Sequence, residues 1–257
     1  MSDSYTRVIL VTGANTGIGL ALVKLLAERG HTIYLGARNE AKGKEAQAAL
    51  KKDHGLDVHF VQLDITDRTS IDKARDLIEQ KEGHLDVLVN NAAVPNKEFL
   101  EPSKNDSTGY RHTFDTNFFG ISQNTSAFVP LIRKAPIGHR AIVNVTSGLG
   151  SNAYAAAESR SFKMSGVEVW GYSVNSYSAT KAALNSYTIA LAHELIKEKI
   201  RVNAICPGLV STNLNNHVKE GKTPEEGAGY ILPWVLLGPE DDNKYCQYVS
   251  SGQPMPW

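Results

Sequence analysis

Tyr177 and Lys181 are the residues of this sequence whose types and spacing most directly suggest chemistry. They lie four positions apart in a predicted helix, so the phenol and the ammonium share one helix face. A free tyrosine has a pKa of about 10, and a cation within about 4–6 Å can lower that pKa by roughly 1–3 by favouring the phenolate. Tyr177 is therefore a candidate general acid or base. Tyr and Lys at this spacing also meet as plain surface neighbours.

Ser147 and Asn117 are candidates to work beside this pair. Ser147 ends an apolar run, Val143-Asn144-Val145-Thr146, and its hydroxyl could hold a substrate oxygen next to Tyr177. The alternative is an ordinary turn residue. Asn117 is a poor helix former within a helix predicted to be buried. It could carry a water molecule to Lys181 or satisfy a local backbone carbonyl.

A glycine-rich run, Thr12-Gly13-Ala14-Asn15-Thr16-Gly17-Ile18-Gly19, joins the first predicted strand to the first predicted helix. Glycines permit a sharp turn and close backbone approach to a diphosphate, and the helix N-terminus supplies N–H donors. The spacing is G-x3-G-x-G rather than the G-x-G-x-x-G of longer dehydrogenases. A tight turn without a ligand is the alternative, but the position between strand and helix favours a dinucleotide site.

The end of the second predicted strand indicates which dinucleotide is bound. An NAD site usually has an acidic residue there for the ribose diol, whereas this strand ends at Arg38. Arg38 could hold a 2′-phosphate by charge-assisted hydrogen bonds, and Lys42 lies one helical turn further on. Both could instead be solvated residues at a helix start. The pattern favours NADP(H) as the cofactor.

Two further positions follow predicted strands at the same edge. Asp64 could accept a hydrogen bond from the adenine amino group, or serve as a helix cap or turn residue. The run Asn90-Asn91-Ala92-Ala93 would lie beside the ribose, although its asparagines could equally satisfy backbone groups of adjacent strands.

These residues must be positioned by strands and helices that alternate along the chain. The predicted strands are Arg7–Thr12, Thr32–Ala37, Asp57–Leu63, Leu85–Asn90, Ala141–Thr146, Arg201–Cys206 and Tyr245–Val249. The predicted helices are Ile18–Arg29, Glu40–Asp53, Ser70–Lys81, Thr108–Arg133 and Ser178–Lys197. The first six strands show little period-2 alternation, as strands buried on both faces should.

The alternation predicts an α/β fold, a single doubly wound, Rossmann-like parallel sheet with helices on both faces. Residues 1–257 are expected to form one dinucleotide-binding catalytic domain. Two irregular segments, near 148–175 and 211–229, follow strand ends, where ligands bind in such sheets. The second ends in Thr223-Pro224-Glu225-Glu226, which resembles a helix start.

The order of these motifs resembles that of the short-chain dehydrogenase/reductase family. The match runs over nearly the whole chain and includes Thr12–Gly19, Asn90–Ala92, Asn117, Ser147, Tyr177 with Lys181, and Pro207-Gly208. It implies that Asn117, Ser147, Tyr177 and Lys181 form a catalytic tetrad. It also implies that Lys181 binds the nicotinamide ribose and that Val210 and Thr212 hold the carboxamide. The full cofactor set expected is Gly13, Asn15, Thr16, Gly17, Ile18, Gly19, Arg38, Lys42, Asp64, Ile65, Asn91, Ala92, Tyr177, Lys181, Pro207, Gly208, Val210 and Thr212.

Within the family the chain is most similar to the NADPH carbonyl reductases, through Arg38 with Lys42, the run 222–228 and the terminal Trp257. It departs from the pattern at Ala93, where glycine is usual, and at Leu209, where the mammalian enzymes have tryptophan. The segment from Ser147 to Tyr177 is also shorter than theirs. The resemblance implies an NADPH-dependent reductase of a ketone, aldehyde or quinone, with Tyr177 as general acid. The alternatives are a dedicated biosynthetic ketone or imine reductase and a non-catalytic NADP(H)-binding regulatory protein.

Composition argues against several other classes. Lys plus Arg and Asp plus Glu each number 27, so the formal net charge is zero, which disfavours nucleic acid or an anionic membrane as a partner. The eight histidines and two cysteines show no metal-ligand spacing. No run resembles a signal peptide or a membrane span, which predicts a soluble, cytoplasmic protein.

The expected partner is a small carbonyl or alcohol substrate of apolar character. Apolar side chains that could contact it, or belong to the core instead, are Val94, Tyr154, Trp170, Leu209 and Trp234. Family members often associate through their two long helices, and the segment before Tyr177 could cover that surface. Both a monomer and a homo-oligomer are compatible with the sequence.

Overall fold

Short runs of buried apolar residues form the strands at the centre of the molecule. The computed structural model describes residues 5–96, 101–105, 107–156 and 174–257, together with the backbone of 161–164 and 167–170. The strands are β1 (Val8–Thr12), β2 (Thr32–Ala37), β3 (His59–Gln62), β4 (Val87–Asn90), β5 (Ala141–Val145), β6 (Ser161–Met164), β7 (Val167–Trp170), β8 (Arg201–Cys206), β9 (Tyr248–Ser250) and β10 (Gln253–Pro254).

The helices lie between these strands. They are α1 (Gly17–Ala27), α2 (Glu40–His54), α3 (Arg68–Glu82), α4 (Ser107–Phe114), α5 (Ile121–Ile132), α6 (Asn152–Ala156), α7 (Asn175–Leu195) and α8 (Pro224–Val235). Local capping fixes several of their ends: the Asn39 side chain accepts from Lys42 N at 2.9 Å to begin α2, and Gly55, with φ of 69°, ends it. Within the described ranges, none of these helices is long and apolar enough to cross a bilayer.

Eight strands form one sheet in the order β10-β9-β8-β5-β4-β1-β2-β3. Every neighbouring pair is parallel except β9 with β10. Helices cover both faces, because alternate side chains of one strand enter different clusters. Val8 and Leu10 pack with α3, α5 and α7, whereas Ile9 and Val11 pack with α1, α2 and α8. The predicted doubly wound, Rossmann-like fold is confirmed, with an antiparallel edge strand added.

The direction of chain winding reverses between β1 and β4, which are adjacent in the sheet although two strands separate them in sequence. The crevice beyond the carboxyl ends of such strands is where open α/β sheets bind ligands. The glycine-rich turn follows β1, Asn90 is the last residue of β4, and Asn91 comes directly after it.

Three predicted elements differ in detail. The helix predicted over Thr108–Arg133 is divided into α4 and α5 by a π-helical turn, Asp115–Gly120, which carries Asn117. The strand predicted at Tyr245–Val249 begins only at Tyr248, since Cys246 has a φ of 52°, which a strand cannot contain. The antiparallel pair β6–β7 lies in the segment expected to be irregular, because four-residue strands give too little periodicity to predict.

Candidate active site

A cavity of about 630 Å³ opens at the carboxyl edge of the sheet, around the switch point between β1 and β4. Every residue expected to bind the cofactor lines it: Gly13, Asn15, Thr16, Gly17, Ile18, Gly19, Arg38, Lys42, Asp64, Ile65, Asn91, Ala92, Tyr177, Lys181, Pro207, Gly208, Val210 and Thr212. Ser147 also lines this cavity, whereas Asn117 does not. Residues from the whole length of the chain therefore meet at one site.

The turn after β1 requires glycine for two reasons. Gly13 has a φ of 61°, and a Cβ atom there would lie 2.8 Å from the Cα atom of Ala92. The Asn91 side chain holds this turn by donating to the carbonyl oxygens of Thr12 at 2.8 Å and Gly13 at 3.1 Å. The alternative interpretation of this asparagine, that it satisfies neighbouring backbone groups, therefore applies, and Asn91 also borders the cavity.

The N-terminus of α1 faces this cavity and fits a diphosphate. Thr16 is the N-cap residue, but its side chain makes no capping bond to the first turn, which also contains no acidic residue. Unsatisfied N–H groups at a helix start bind anions through hydrogen bonds and the helix dipole. The Thr16 hydroxyl instead accepts a hydrogen bond from Asn213 Nδ2 at 3.2 Å, across the cavity mouth.

Arg38 and Lys42 form a cationic rim at one end of the cavity. Arg38 directly follows β2, Lys42 lies in the first turn of α2, and both are exposed. In the described part of the chain neither cation is ion-paired to a carboxylate, so both charges remain available to a phosphate. Asp64 accepts from the Thr66 amide at 2.9 Å and from its hydroxyl at 2.7 Å, which makes it a turn residue as well as a lining residue.

Tyr177 and Lys181 occupy the first two turns of α7, which begins three residues before the predicted start. The Nζ atom of Lys181 lies 5.5 Å from the centroid of the Tyr177 ring and donates to the carbonyl oxygen of Val145 at 2.8 Å. Lys181 is 2% exposed, so its ammonium is held by β5 rather than by bulk water.

Burial dominates the titration of both groups. Removal from water raises the pKa of the Tyr177 phenol well above its usual value; the Cys206 thiol nearby raises it further, and a hydrogen bond from the Ser147 side chain lowers it. Burial likewise lowers the pKa of Lys181 to about 8, against a smaller raising effect of Cys206. Burial therefore sets the direction of the pKa shift of Tyr177 in this structure, and the expected lowering of that pKa by Lys181 stays a prediction. Tyr177 is a neutral phenol, a proton donor.

Ser147 lies in a segment that several hydrogen bonds hold in place. Its carbonyl oxygen accepts from the Tyr248 hydroxyl at 2.7 Å, and its own hydroxyl accepts from the Leu149 amide at 3.3 Å. The next residue, Gly148, donates its N–H to the Cys206 sulfur at 3.1 Å. Ser147 is therefore a turn residue, as its alternative interpretation had it, and it also lines the cavity.

Asn117 is not among the residues that line the cavity, and its side chain is hydrogen-bonded within the fold. Its carboxamide accepts from the Val94 amide at 2.8 Å and donates to the Val94 carbonyl at 2.9 Å, and it also donates to the Thr180 hydroxyl at 3.2 Å. Asn117 is fully buried. Asn117 ties the loop after β4 to α7. Its side chain thus satisfies the backbone groups of Val94, as the alternative interpretation expected.

The apolar residues expected at the substrate divide into two groups. Val94 and Leu209 line the cavity, as do Leu149, Val174 and Leu214, which the sequence did not single out. Trp234 does not line the cavity: it is half-buried and packs against the core cluster that includes residues of α1, α2 and α8. Tyr154 is 51% exposed on α6 and also lies outside the lining. The Trp170 side chain lies outside the described residues.

Asn96 is a site residue that sequence reasoning missed. Its side-chain oxygen accepts from the Tyr177 amide at 2.7 Å and from the Ser176 hydroxyl at 2.9 Å, so it fixes the start of α7 from a loop eighty positions earlier. Asparagine often caps helices, but no local pattern links it to so distant a helix.

Comparison with known proteins identifies the family. The family model described as "Enoyl-(Acyl carrier protein) reductase" matches residues 13–241. A short-chain dehydrogenase of Penicillium roqueforti is 32% identical, over 93% of this chain and 96% of its own length. The chain belongs to the short-chain dehydrogenase/reductase family. This family membership confirms the resemblance and makes the protein an oxidoreductase.

Among its relatives in this family are named carbonyl reductases. Carbonyl reductase [NADPH] 1 of Bos taurus is 32% identical, with 99% of this chain and 100% of that protein covered. The structure of NADPH-bound carbonyl reductase from chicken fatty liver superimposes with a TM-score of 0.82 at 25% identity, covering 98% of this chain and 99% of the other. Salutaridine reductase of Papaver somniferum gives a TM-score of 0.77 at 27% identity, over 94% and 99%.

Proposed function

We propose that this protein reduces a ketone, aldehyde or quinone to an alcohol with NADPH. The observation that carries the proposal is the meeting, in one cavity, of a half-buried neutral phenol at Tyr177, the Ser147 hydroxyl and the cationic rim of Arg38 and Lys42. NADPH supplies the hydride. The similarity to the NADPH carbonyl reductases of cattle and chicken supports this choice of cofactor and reaction.

Tyr177 is the proposed general acid. A phenol whose pKa is raised by burial keeps its proton at neutral pH, and carbonyl reduction needs that proton on the substrate oxygen. The Ser147 hydroxyl, next to the phenol, would donate a hydrogen bond to the same oxygen and polarise the carbonyl. Lys181 would supply a positive charge near the phenolate that proton transfer leaves behind, which makes the transfer less costly.

We assign the parts of NADPH to residues of the same cavity. The α1 N-terminus would bind the diphosphate, and Arg38 with Lys42 would bind the 2′-phosphate. By the family resemblance, Lys181 would also bind the nicotinamide ribose, and Val210 and Thr212 the carboxamide. Asp64 and Ile65 would border the adenine. Asn117 is proposed to act from outside the cavity, through Val94 and Thr180.

The apolar residues that line the rest of the cavity favour an apolar substrate. Val94, Leu149, Val174, Leu209 and Leu214 line the same cavity as Tyr177 and Ser147. Burial of apolar substrate surface against this lining favours binding by about 25 cal/mol per Å². Cytoplasmic location, a single domain over 1–257, and the choice between monomer and homo-oligomer stay predictions.

A dedicated reductase of one ketone or imine is the second candidate. Salutaridine reductase, named for a single substrate, is among the relatives of similar fold and sequence. The two candidates share every catalytic position and differ only in which substrate the cavity admits.

NADPH oxidation, measured by absorbance, against quinones, aromatic aldehydes, diketones and steroid ketones tests the proposal, with NADH in parallel. Broad NADPH-dependent turnover is the expected result. NADPH binding without turnover of any panel member would favour the dedicated reductase, and the absence of NADPH binding would contradict both candidates.

A further inference from the structure

A buried asparagine on α7 brackets the segment that carries Ser147. Asn185 lies one helical turn beyond Lys181 and two beyond Tyr177, so the three side chains share one face of the helix. Its Oδ1 atom accepts from the Thr146 hydroxyl at 2.7 Å, and its Nδ2 atom donates to the Gly150 carbonyl at 3.0 Å. One carboxamide thus holds the residue before Ser147 and the residue three after it.

Gly150 shows how closely this segment lies on the helix. A Cβ atom at that position would be 2.7 Å from both the carbonyl carbon and the Cβ atom of Lys181. The backbone of the Ser147 segment therefore packs directly on the turn of α7 between Lys181 and Asn185. Any lengthening of the bond from Asn185 to Gly150 would lift Ser147 away from the helix that carries Tyr177.

The other tethers of the segment come from the sheet. Cys206 on β8 accepts from Gly148 N, and Tyr248 on β9, whose hydroxyl is also a hydrogen-bond partner of the Asn185 side chain, donates to Ser147 O. Lys181 ties α7 to Val145, upstream of the segment. The sheet tethers set the height of Ser147 above the strands, while Asn185 sets its distance from α7, and hence from Tyr177.

The chemistry of the two contacts specifies a carboxamide. Thr146 presents a donor and Gly150 an acceptor, and a buried side chain that satisfies both must carry one of each. Aspartate would face the Gly150 carbonyl with a second acceptor, and leucine, of similar volume, would satisfy neither. Asn185 is 3% exposed and lies outside the cavity lining, so no substrate or cofactor role accounts for it.

We propose that Asn185 is a positioning residue that sets the distance between Ser147 and Tyr177 for carbonyl reduction. The inference rests on the proposed function. A displacement of about 1 Å at a reacting group can cost on the order of 100-fold in rate. Loss of the carboxamide should therefore lower kcat while leaving NADPH affinity intact, because Asn185 does not line the cofactor cavity.

The test compares Asn185→Leu and Asn185→Asp with Thr188→Val. Thr188 is a matched control: it is buried on the same helix, and its hydroxyl bonds Asn144 at 2.9 Å and Leu184 at 2.7 Å rather than the Ser147 segment. We expect kcat to fall by about 10- to 100-fold in both Asn185 variants and by less than about threefold in the control at a similar loss of Tm. The Kd for NADPH should stay unchanged in all three.

A double-mutant cycle with Ser147→Ala separates positioning from general destabilisation. If Asn185 acts through Ser147, Asn185→Leu should cause little further loss of kcat once the Ser147 hydroxyl is absent. Additive losses, a kcat within about twofold of wild type, or an equal loss in Thr188→Val would overturn the proposal. If Asn185→Leu does not fold, Thr146→Val removes the same hydrogen bond from the other side and takes its place in the cycle.

Hydrogen exchange keeps this inference distinct from the proposed function. The amide of Gly148 is bonded to Cys206, so its exchange reports the order of the segment without any substrate. Faster exchange across 146–150 in Asn185→Leu than in Thr188→Val is expected even if the wild-type protein reduces no carbonyl tested. Equal exchange in the two variants would overturn the positioning role, whatever the outcome of the carbonyl panel.

Discussion

The ammonium of Lys181 lies 5.5 Å from the centre of the Tyr177 ring but donates its hydrogen bond to the carbonyl oxygen of Val145, at 2.8 Å. The cation is thus close enough to act on the phenol electrostatically and is fixed by the sheet. Removal from water raises the pKa of the half-buried Tyr177 phenol, which stays neutral, and lowers the pKa of the buried Lys181 to about 8.

Replacement of Tyr177 by phenylalanine should remove the proposed acid alone. We expect kcat for carbonyl reduction to fall by at least about 100-fold, since general acid catalysis contributes on that order or more, with the Kd for NADPH changed little. Tyr187→Phe, on the same helix but outside the cavity lining, is the matched control and should retain activity. Steady-state kinetics and fluorescence titration measure the two quantities. Retained turnover in Tyr177→Phe would refute the acid role.

The pH dependence should follow Lys181. Burial lowers the pKa of this lysine to about 8, so the cation is present below that pH and lost above it. Tyr177, whose pKa is raised, keeps its proton through the same range. We therefore expect kcat for reduction to be flat at lower pH and to decrease about tenfold per pH unit well above 8. A pH–rate profile with no inflection between pH 7 and 10 would show that the charge on Lys181 does not limit the reaction.

Cofactor preference should depend on Arg38. Arg38→Asp replaces a phosphate-binding charge with a carboxylate suited to the ribose diol, so we expect preference to move from NADPH toward NADH by about tenfold or more, equivalent to about 1.4 kcal/mol. The ratio of kcat/KM for the two cofactors measures it. Lys52→Asp makes the same charge change on an exposed residue of α2 outside the cavity lining and should leave the ratio unchanged. An equal shift in both variants would mean that net charge, and not contact, sets the preference.

Cofactor release should depend on the contact across the cavity mouth. Asn213 Nδ2 donates to Thr16 Oγ1 at 3.2 Å, and Asn213 Oδ1 lies 2.6 Å from His217 Nε2. Asn213→Ala removes this link, and a hydrogen bond of about 0.5–1.5 kcal/mol predicts NADPH dissociation faster by about two- to tenfold. Stopped-flow displacement measures the rate, with the exposed Lys219→Ala in the same segment as control. An unchanged rate in Asn213→Ala would show that the link does not restrain the cofactor.

Much of the fold and the cofactor half of the site could be predicted because their signals are local. Buried strands appear as short apolar runs, and the glycine turn lies where the first run meets the first helix. Arg38 stands at the tip of β2, where the ribose binds in such sheets. All eighteen residues expected at the cofactor line one cavity for this reason.

The catalytic half was only partly predictable. The spacing of Tyr177 and Lys181 fixed their common face, but burial decided the direction of both pKa shifts, and burial depends on the whole packed structure. Trp234 shows the same limit: its aromatic type suggested a substrate contact, and only the tertiary structure shows it half-buried against the core and outside the cavity lining.

The sequence by itself determined the alternation of strands and helices, the glycine turn, the family motifs and the charge at Arg38, since each depends on residues close together in the chain. Only the tertiary structure decided that Asn117 holds Val94, that Asn96 begins α7 and that Asn185 brackets Ser147. Each of these is a hydrogen bond between residues far apart in sequence. Such partners are chosen by how the layers pack, because a buried amide must find its donors and acceptors wherever the fold brings them.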